Sequence, residues 1–414
     1  MTVVSASVLN TDVLSDDVLT TDMPLSNIRV LDLTRIISGP FCSALLADMG
    51  AEVIKVEPRE TGDPVRAQGE LKDGLSWYFA NYNRNKKSIT LDMYSQAGKD
   101  VLARLIPTCD VVIENFRPDI MEKMGFGPAR LKELKPDIVH CSINGFGTSG
   151  PYRDRPAFDF IAQAMSGFMS LNGEADGPPL RAGPPISDLT AGLYGALAVT
   201  AALLRRERTG AGDSISVSLL NSMVSLLSFQ AVNYFASGKL PPRTGNDHGI
   251  ASPYGMFRTK DGQVAIAPSN DTFYFKVLDA LDLQHLREHP DFATNALRFR
   301  NRDAIKILLE ARTLQETSEY WIERLNRWGV PCGSVLSLDQ VFEDPQVQDQ
   351  EMAIEVPHPG HGTVTMLGFP IKFAQAPCTI QRPAPELGGH TDEVLANIGY
   401  SVDEIARMRD ASTI

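Results

Sequence analysis

Between Ile28 and Glu57 the chain reads as strand, turn, helix, strand: an apolar run Ile28 to Leu33, the turn Ser38-Gly39-Pro40, a helix Phe41 to Met49 closed by Gly50, and a second run Ala51 to Glu57. A helical crossover between two such runs makes them parallel neighbours, because a tight hairpin joins only antiparallel strands. The alternation continues with a strand Ser88 to Leu91, a helix Gln96 to Ile106, a strand Asp110 to Glu114, a helix around Pro128 to Leu134 and a strand Asp137 to Ile143. Repeated crossovers predict an α/β fold in which a mostly parallel sheet is covered on both faces.

The remainder of the 414 residues leaves room for a second domain. Ser187-Asp188 starts an Ala-rich helix, and its apolar stretch Leu189 to Leu204 is shorter than the ~20 residues needed to span a bilayer, so it reads as a buried helix. A short strand Ser214 to Val217 and a helix that includes Met223 to Phe229 follow. The mixed, polar segment from Ala231 to Asn246, with Pro241-Pro242, reads as a crossing between domains. Residues 247 to 330 then suggest a small α+β domain built on hairpin strands Gly255 to Arg258 and Val264 to Ala267 around Asp261-Gly262. Strands at Gly329 to Ser337 and Gly362 to Lys372 are expected to return to the first domain. The expected layout is a flexible tail 1–24, a large domain 25–230, a small domain with linkers 231–330, and a return to the large domain over 331–414.

A formal net charge of −12 argues against nucleic acid or an anionic membrane as partner, since both are repelled at long range, and any anionic ligand must find local basic residues. The five cysteines, Cys42, Cys109, Cys141, Cys332 and Cys378, are scattered and lack the close spacing of zinc ligands. They predict a reducing cytoplasm and no metal site, with Cys42 read as buried filler. Residues 1–24 hold several Asp and no Lys or Arg, unlike a secretory or organellar leader.

In parallel sheets, ligands collect at the carboxyl ends of the strands. Those ends carry Arg35-Ile36-Ile37, Glu57-Pro58-Arg59, Asp92-Met93-Tyr94, Asn115-Phe116-Arg117 and Asn144-Gly145-Phe146-Gly147, a set rich in cationic, polar and aromatic groups. The first turn, Arg35 to Pro40, argues against a nicotinamide site, since it lacks the required glycines and loses a backbone donor at Pro40. Asp159 stands between Phe158 and Phe160. On residue chemistry it is either a helix N-cap or a desolvated nucleophile.

The chain resembles the family III CoA-transferases, whose relatives include α-methylacyl-CoA racemases. The likeness runs from Leu31 to Tyr400. It is carried by Leu31-Asp32-Leu33-Thr34-Arg35 with Gly39-Pro40, by Leu46 to Glu57, by Asn85-Lys86-Lys87-Ser88-Ile89, and by Glu114-Asn115-Phe116-Arg117-Pro118. The Asp159 segment, Pro253-Tyr254-Gly255 with Thr259-Lys260-Asp261-Gly262, and Leu387-Gly388-Gly389-His390-Thr391 complete it.

That resemblance implies a Rossmann-like large domain, a smaller α+β domain, and an interlocked homodimer. It implies CoA thioesters as substrates, with no permanently bound cofactor, and Asp159 as the nucleophile that becomes acylated and passes CoA to a second carboxylic acid. A dry site would protect such an anhydride, a task the flanking phenylalanines suit. Carried over residue by residue, the CoA contacts are Arg35, Ile36, Ile37, Leu91, Met93, Asn115, Phe116, Lys123, Asn144, Gly145 and Phe146, with Arg59 and Tyr94 at slightly displaced positions. Lys123 reads equally as a solvated helix lysine.

A racemase needs an acid and a base on opposite faces of a carbon, but no His occurs at Gly127 to Leu131 and the small-domain acid position holds Asn270. Transfer is therefore favoured over racemisation, and over a non-catalytic CoA-binding subunit. The segments Gly245-Asn246-Asp247-His248-Gly249 and Thr294 to Arg302 are more similar to members that use succinyl-CoA and dicarboxylic acids. Arg155, Arg181 and Arg243 are candidates to hold a distal carboxylate. Asn270 and His248 are candidates to face the substrate, with His248 reading equally as a residue that orients the domain crossing, and Arg298, Arg300 and Arg302 read as a solvated helix face.

Overall fold

The computed structural model describes residues 23–414, so the expected tail lies outside the described residues apart from its last two positions. The chain divides into one unit of residues 23–166, 183–226 and 345–414, and a second of 167–182 and 227–344.

The first unit is built on a parallel sheet of β1 (Arg29–Asp32), β2 (Glu52–Glu57), β3 (Lys86–Thr90), β4 (Val111–Glu114), β5 (Val139–Asn144) and β6 (Asp213–Ser218), in the order β3-β2-β1-β4-β5-β6. The run Ser214 to Val217 thus becomes a sixth strand at the edge. Strand order reverses direction between β1 and β4, and the crevice there is where doubly wound sheets receive ligands. Side chains alternate across the sheet, and Leu31, Ile54, Ile89 and Val112 share one core cluster with Val101 and Leu105 and with Val394, Leu395 and Ile405 near the C-terminus.

Helix α1 (Ser38–Asp48) begins within the expected turn, because a proline in the first turn of a helix has no backbone hydrogen bond to lose there. Helix α2 (Asp159–Met165) is short, and α3 (Ile186–Thr209) lies along α1 and the β5–β6 edge. By length and composition α3 could cross a membrane. One face of it is instead buried through Ala191, Gly192, Gly195, Ala196 and Val199. A Cβ on Gly192 would stand 2.8 Å from the Ser38 carbonyl oxygen, so the glycine is what lets the two helices approach so closely. The sequence expectation of a buried helix needs correction for the other face. Leu193, Leu197 and Leu204 are 52%, 66% and 61% exposed.

The second unit carries an antiparallel sheet of β7 (Gly255–Arg258), β8 (Gln263–Ile266) and β9 (Cys332–Gly333), in the order β9-β8-β7. Its core of Phe257, Val264, Tyr274, Val277, Leu309 and Trp321 joins this sheet to helices α4 (Asp271–Ala280) and α5 (Arg302–Thr313). The expected strand at Gly329 to Ser337 shrinks to β9 and pairs with β8, so the second unit continues to Asp344 and not to 330. The chain rejoins the first unit through the hairpin β10 (Ala353–His358) and β11 (Gly362–Leu367).

Candidate active site

The segments that follow β1, β4 and β5 meet at the point where strand order reverses. Arg35 to Ser38, Asn115 to Pro118, Asn144 and Gly145 line a cleft of about 170 Å³ there with Arg153, Arg155 to Phe158, Asp188 and Leu219. Its arginines, Arg35, Arg117, Arg153 and Arg155, supply the local positive charge that an acidic chain needs to receive a phosphorylated ligand.

The turn after β1 is held rigidly. Asn115 Oδ1 accepts the Arg35 N–H at 2.9 Å while its Nδ2 donates to the Arg35 carbonyl at 2.7 Å. The Ile36 N–H donates to both oxygens of Asp63, at 3.1 and 3.2 Å. Ile36 has φ 74°, a left-handed conformation that a β-branched residue adopts only when its surroundings impose it. Beneath the turn, Lys55 Nζ donates to Asp63 Oδ2 at 2.9 Å and to the Thr34 carbonyl at 2.8 Å. Lys86 Nζ reaches Asp32 Oδ2 at 3.1 Å, the Pro40 carbonyl and Asn83 Oδ1. Asp32 also accepts from Ser43 Oγ, and from the N–H and hydroxyl of Thr34. Burial opposes its charge, but Lys86, Lys55 and these hydroxyls outweigh it and hold the carboxyl down at about 2.

Asp159 occupies the first position of α2, and its carboxylate does the work of a cap for a different helix. Oδ1 accepts the Ser187 N–H and the Ser187 hydroxyl, both at 2.9 Å, at the start of α3. Oδ2 accepts from Gln163 Nε2 at 2.7 Å, one helical turn further on. Asp159 is therefore well satisfied and does not line the cleft. The flanking phenylalanines do not shield it within this chain: Phe158 and Phe160 are 67% and 53% exposed, because neighbours adjacent along a helix point away from one another.

Asp188, the next residue along α3, does line the cleft, near Ser38. Burial, and then the negative charge of Asp159, push its carboxyl up to about 7. The Tyr82 phenol is raised by burial and by the charge of Asp188, which puts an aromatic wall beside this carboxyl. Two carboxylates in one neighbourhood thus differ sharply. One is occupied by hydrogen bonds, and the other is desolvated and faces the cleft.

Of the residues expected from sequence, Arg35, Ile36, Ile37, Asn115, Phe116, Asn144 and Gly145 are brought together at the cleft. Leu91 and Met93 are instead buried core residues, packed with Leu31 and Val101. Tyr94 is 66% exposed, Arg59 pairs with Glu60, Lys123 is exposed on the short helix Ile120–Met124, and Phe146 packs edge-on against Tyr152; none of these lines the cleft. In the second unit, Asn270 accepts the Phe273 N–H as the N-cap of α4. Arg243 donates to the Glu174 and Gly177 carbonyls, and Arg181 to the Ala182 carbonyl. Arg298, expected on a solvated face, is buried; it pairs with Asp271 and donates to the Ser252 and Phe292 carbonyls. Sequence reading treated Asp188 only as the start of a helix. Its signal was faint: an acidic residue on the first turn of an apolar helix reads as an ordinary dipole partner.

A family model described as CoA-transferase family III matches residues 25–391. The chain belongs to that family. Among its family III relatives, the succinate–glutarate CoA-transferase of Agrobacterium fabrum (strain C58 / ATCC 33970) is 38% identical over 382 residues, covering 91% of this chain and 96% of that protein. The succinyl-CoA:glutarate CoA-transferase of Homo sapiens is 37% identical over 376 residues, covering 91% and 86%. The crystal structure of a CAIB/BAIF family protein from Brucella suis superposes with a TM-score of 0.80 at 38% identity, covering 91% of this chain and 99% of that one. The chain is an enzyme of the family III CoA-transferase type.

Proposed function

We propose that the enzyme moves CoA from an acyl-CoA, succinyl-CoA in the first instance, to a small dicarboxylic acid, with Asp159 as the attacking carboxylate. The observation that supports the assignment is a carboxylate held in one orientation by the Ser187 N–H and hydroxyl and by Gln163, directly after Phe158 of the arginine-rimmed cleft. The relatives' activities on succinate and glutarate support the substrate class. Asp188, which lines the same cleft with its carboxyl raised to about 7 by burial and by the charge of Asp159, is the neighbouring acid.

An ionised carboxylate held in one orientation by hydrogen bonds attacks without needing a base to activate it. Its oxygen attacks the thioester carbonyl carbon and expels CoA thiolate, leaving a mixed anhydride. The thiolate attacks the aspartyl carbonyl and releases the first acid as its carboxylate, which leaves an aspartyl-CoA thioester. The acceptor carboxylate then attacks that thioester, and the returning thiolate takes the new acyl group and frees Asp159. Atoms and charge balance without hydrolysis provided water is kept out.

The exposed apolar side chains Phe158, Phe160, Leu193, Leu197 and Leu204 support an interlocked homodimer in which a second copy covers α2 and α3 and supplies that dryness. Free cysteines support a reducing, cytoplasmic setting. No histidine lines the cleft, which leaves racemisation without a second base there.

The test is hydroxylamine trapping during turnover with succinyl-CoA, followed by peptide mass spectrometry. A hydroxamate is expected at Asp159, on the peptide between Arg153 and Arg181, and Asp159→Ala should abolish transfer. A hydroxamate at Asp188 instead, or full turnover by Asp159→Ala, would overturn the assignment.

A further inference from the structure

Of the residues expected to face the substrate, His248 stays within the second unit, its ring stacked on Phe229 and its Nδ1 accepting the N–H groups of Ile250 and Ala251. The cleft of the first unit holds an acid that the steps above leave without a task. Asp188 lines that cleft with Ile37 and Ser38, and no ion pair or hydrogen bond among the described residues reaches its carboxyl. It follows Ser187, whose N–H and hydroxyl fix Asp159 Oδ1, so the first turn of α3 carries both the clamp on the nucleophile and a second carboxyl.

The groups around Asp188 favour its protonated form. The negatively charged Asp159 stands on one side. Tyr78 and Tyr82, on the helix Trp77–Asn83, are close enough to feel the charge of Asp188. Their rings meet edge-on at 5.6 Å, and Phe41 of α1 meets Tyr82 edge-on at 6.0 Å. The cations of the cleft are Arg35, Arg117, Arg153 and Arg155, and none pairs with Asp188; Arg153 is engaged by Asp119 and Asp154. Burial behind an aromatic wall and a like charge nearby both oppose ionisation, in keeping with a carboxyl raised to about 7. A protonated carboxyl that serves no acceptor of its own chain is a donor available to whatever fills the cleft.

When Asp159 adds to the thioester carbonyl carbon, the carbonyl oxygen becomes an anion, and a donor already in place lowers the barrier most where water is excluded. We infer that the protonated Asp188 carboxyl donates a hydrogen bond to this oxygen as Asp159 adds. The proton stays on Asp188 throughout. The hydrogen bond tightens as the C–O bond to Asp159 forms and slackens as CoA thiolate leaves, so the balance of atoms and charge given above is unchanged. The inference rests on the Asp159 reading and adds the group that meets the charge its attack creates.

The test is kcat/KM for succinyl-CoA with glutarate as acceptor, from pH 6 to 9, in the full-length enzyme and its Asp188→Asn and Asp188→Ala variants. Folding is checked by Tm, and hydroxylamine trapping is run on each. The acid form is the active one, so wild-type activity should be lost as pH rises through about 7, to about a tenth at pH 8 and about a hundredth at pH 9. Asp188→Asn keeps an N–H donor that does not titrate, and its profile should stay flat over that range. Asp188→Ala should lose about 100- to 1,000-fold at pH 6, the range for one oxyanion donor. A folded Asp188→Ala as active as the wild type at pH 6, or an alkaline fall that persists in Asp188→Asn, would overturn the role of Asp188 alone, with the Asp159 hydroxamate still formed. A wild type that forms no hydroxamate at Asp159 would instead overturn the functional reading, and this role with it.

Discussion

Asp159→Asn separates the two carboxylates by charge while preserving shape. The asparagine Oδ1 can still accept from the Ser187 N–H and hydroxyl, so α3 keeps its cap. What disappears is the negative charge that, second to burial, raises Asp188 from 3.8 to about 7. As the smaller of two contributions, that charge accounts for less than half of the rise, so its removal should lower the Asp188 pKa by about 1 and at most about 1.5. The sign follows from the charges: with the Asp159 anion gone, Asp188 gives up its proton at lower pH. At pH 6 about a tenth of wild-type Asp188 is ionised, against about half in a variant whose pKa is near 6, a roughly fivefold gain. The assay is a carboxyl-carbon NMR titration of Asp188 from pH 5 to 9, with transfer from succinyl-CoA measured alongside. The Asp188 midpoint should lie near 7 in the wild type and about one pH unit lower in the variant, which should have lost transfer because its nucleophile is gone. An unmoved midpoint, or a variant that still transfers CoA, would refute the division of roles between Asp159 and Asp188.

Other outcomes follow from the same geometry. Asn115→Ala removes both hydrogen bonds that clamp Arg35, so the KM for acyl-CoA should rise about 30-fold with kcat changed much less, at about 1 kcal/mol per bond; equal losses in kcat and KM would argue against a binding role for the turn. Lys86→Met strands the buried Asp32 carboxylate and should cost about 3–5 kcal/mol in denaturant unfolding, with part recovered in the double variant Asp32→Asn, Lys86→Met. Leu197→Glu, on the exposed face of α3, should give a monomer by light scattering and reduce turnover; a variant that keeps the wild-type mass would count against a second copy on that face.

The parallel sheet and its ligand-bearing edge were legible because crossover helices leave a periodic record, and strand ends are read by position alone. Leu91 and Met93 sit at a strand end in sequence, and their side chains turn into the core, so any contact they make there is through the backbone. The two aspartates were harder still. Asp159 and Asp188 each open a helix and look alike in a linear reading, and only the folded chain shows that one caps the other's helix. Arg298 resembled its neighbours Arg300 and Arg302 by spacing, but it is buried and hydrogen-bonded to two carbonyls while Arg302 borders a cavity. Periodicity also cannot distinguish an apolar face turned to the core from one turned outward, which is why α3 read as buried throughout.

Asp32, Lys86, Lys55 and Asp63 lie sealed beneath the first turn, and their charges cancel as a group. The floor of the cleft thus contributes rigidity without a net field, and a phosphate at the mouth senses chiefly the rim arginines. Selectivity for anions can then drift by exchanging rim residues one at a time, whereas the four ions below are free to change only in compensating pairs. Divergence within such a scaffold should be fast around the opening and slow directly underneath it.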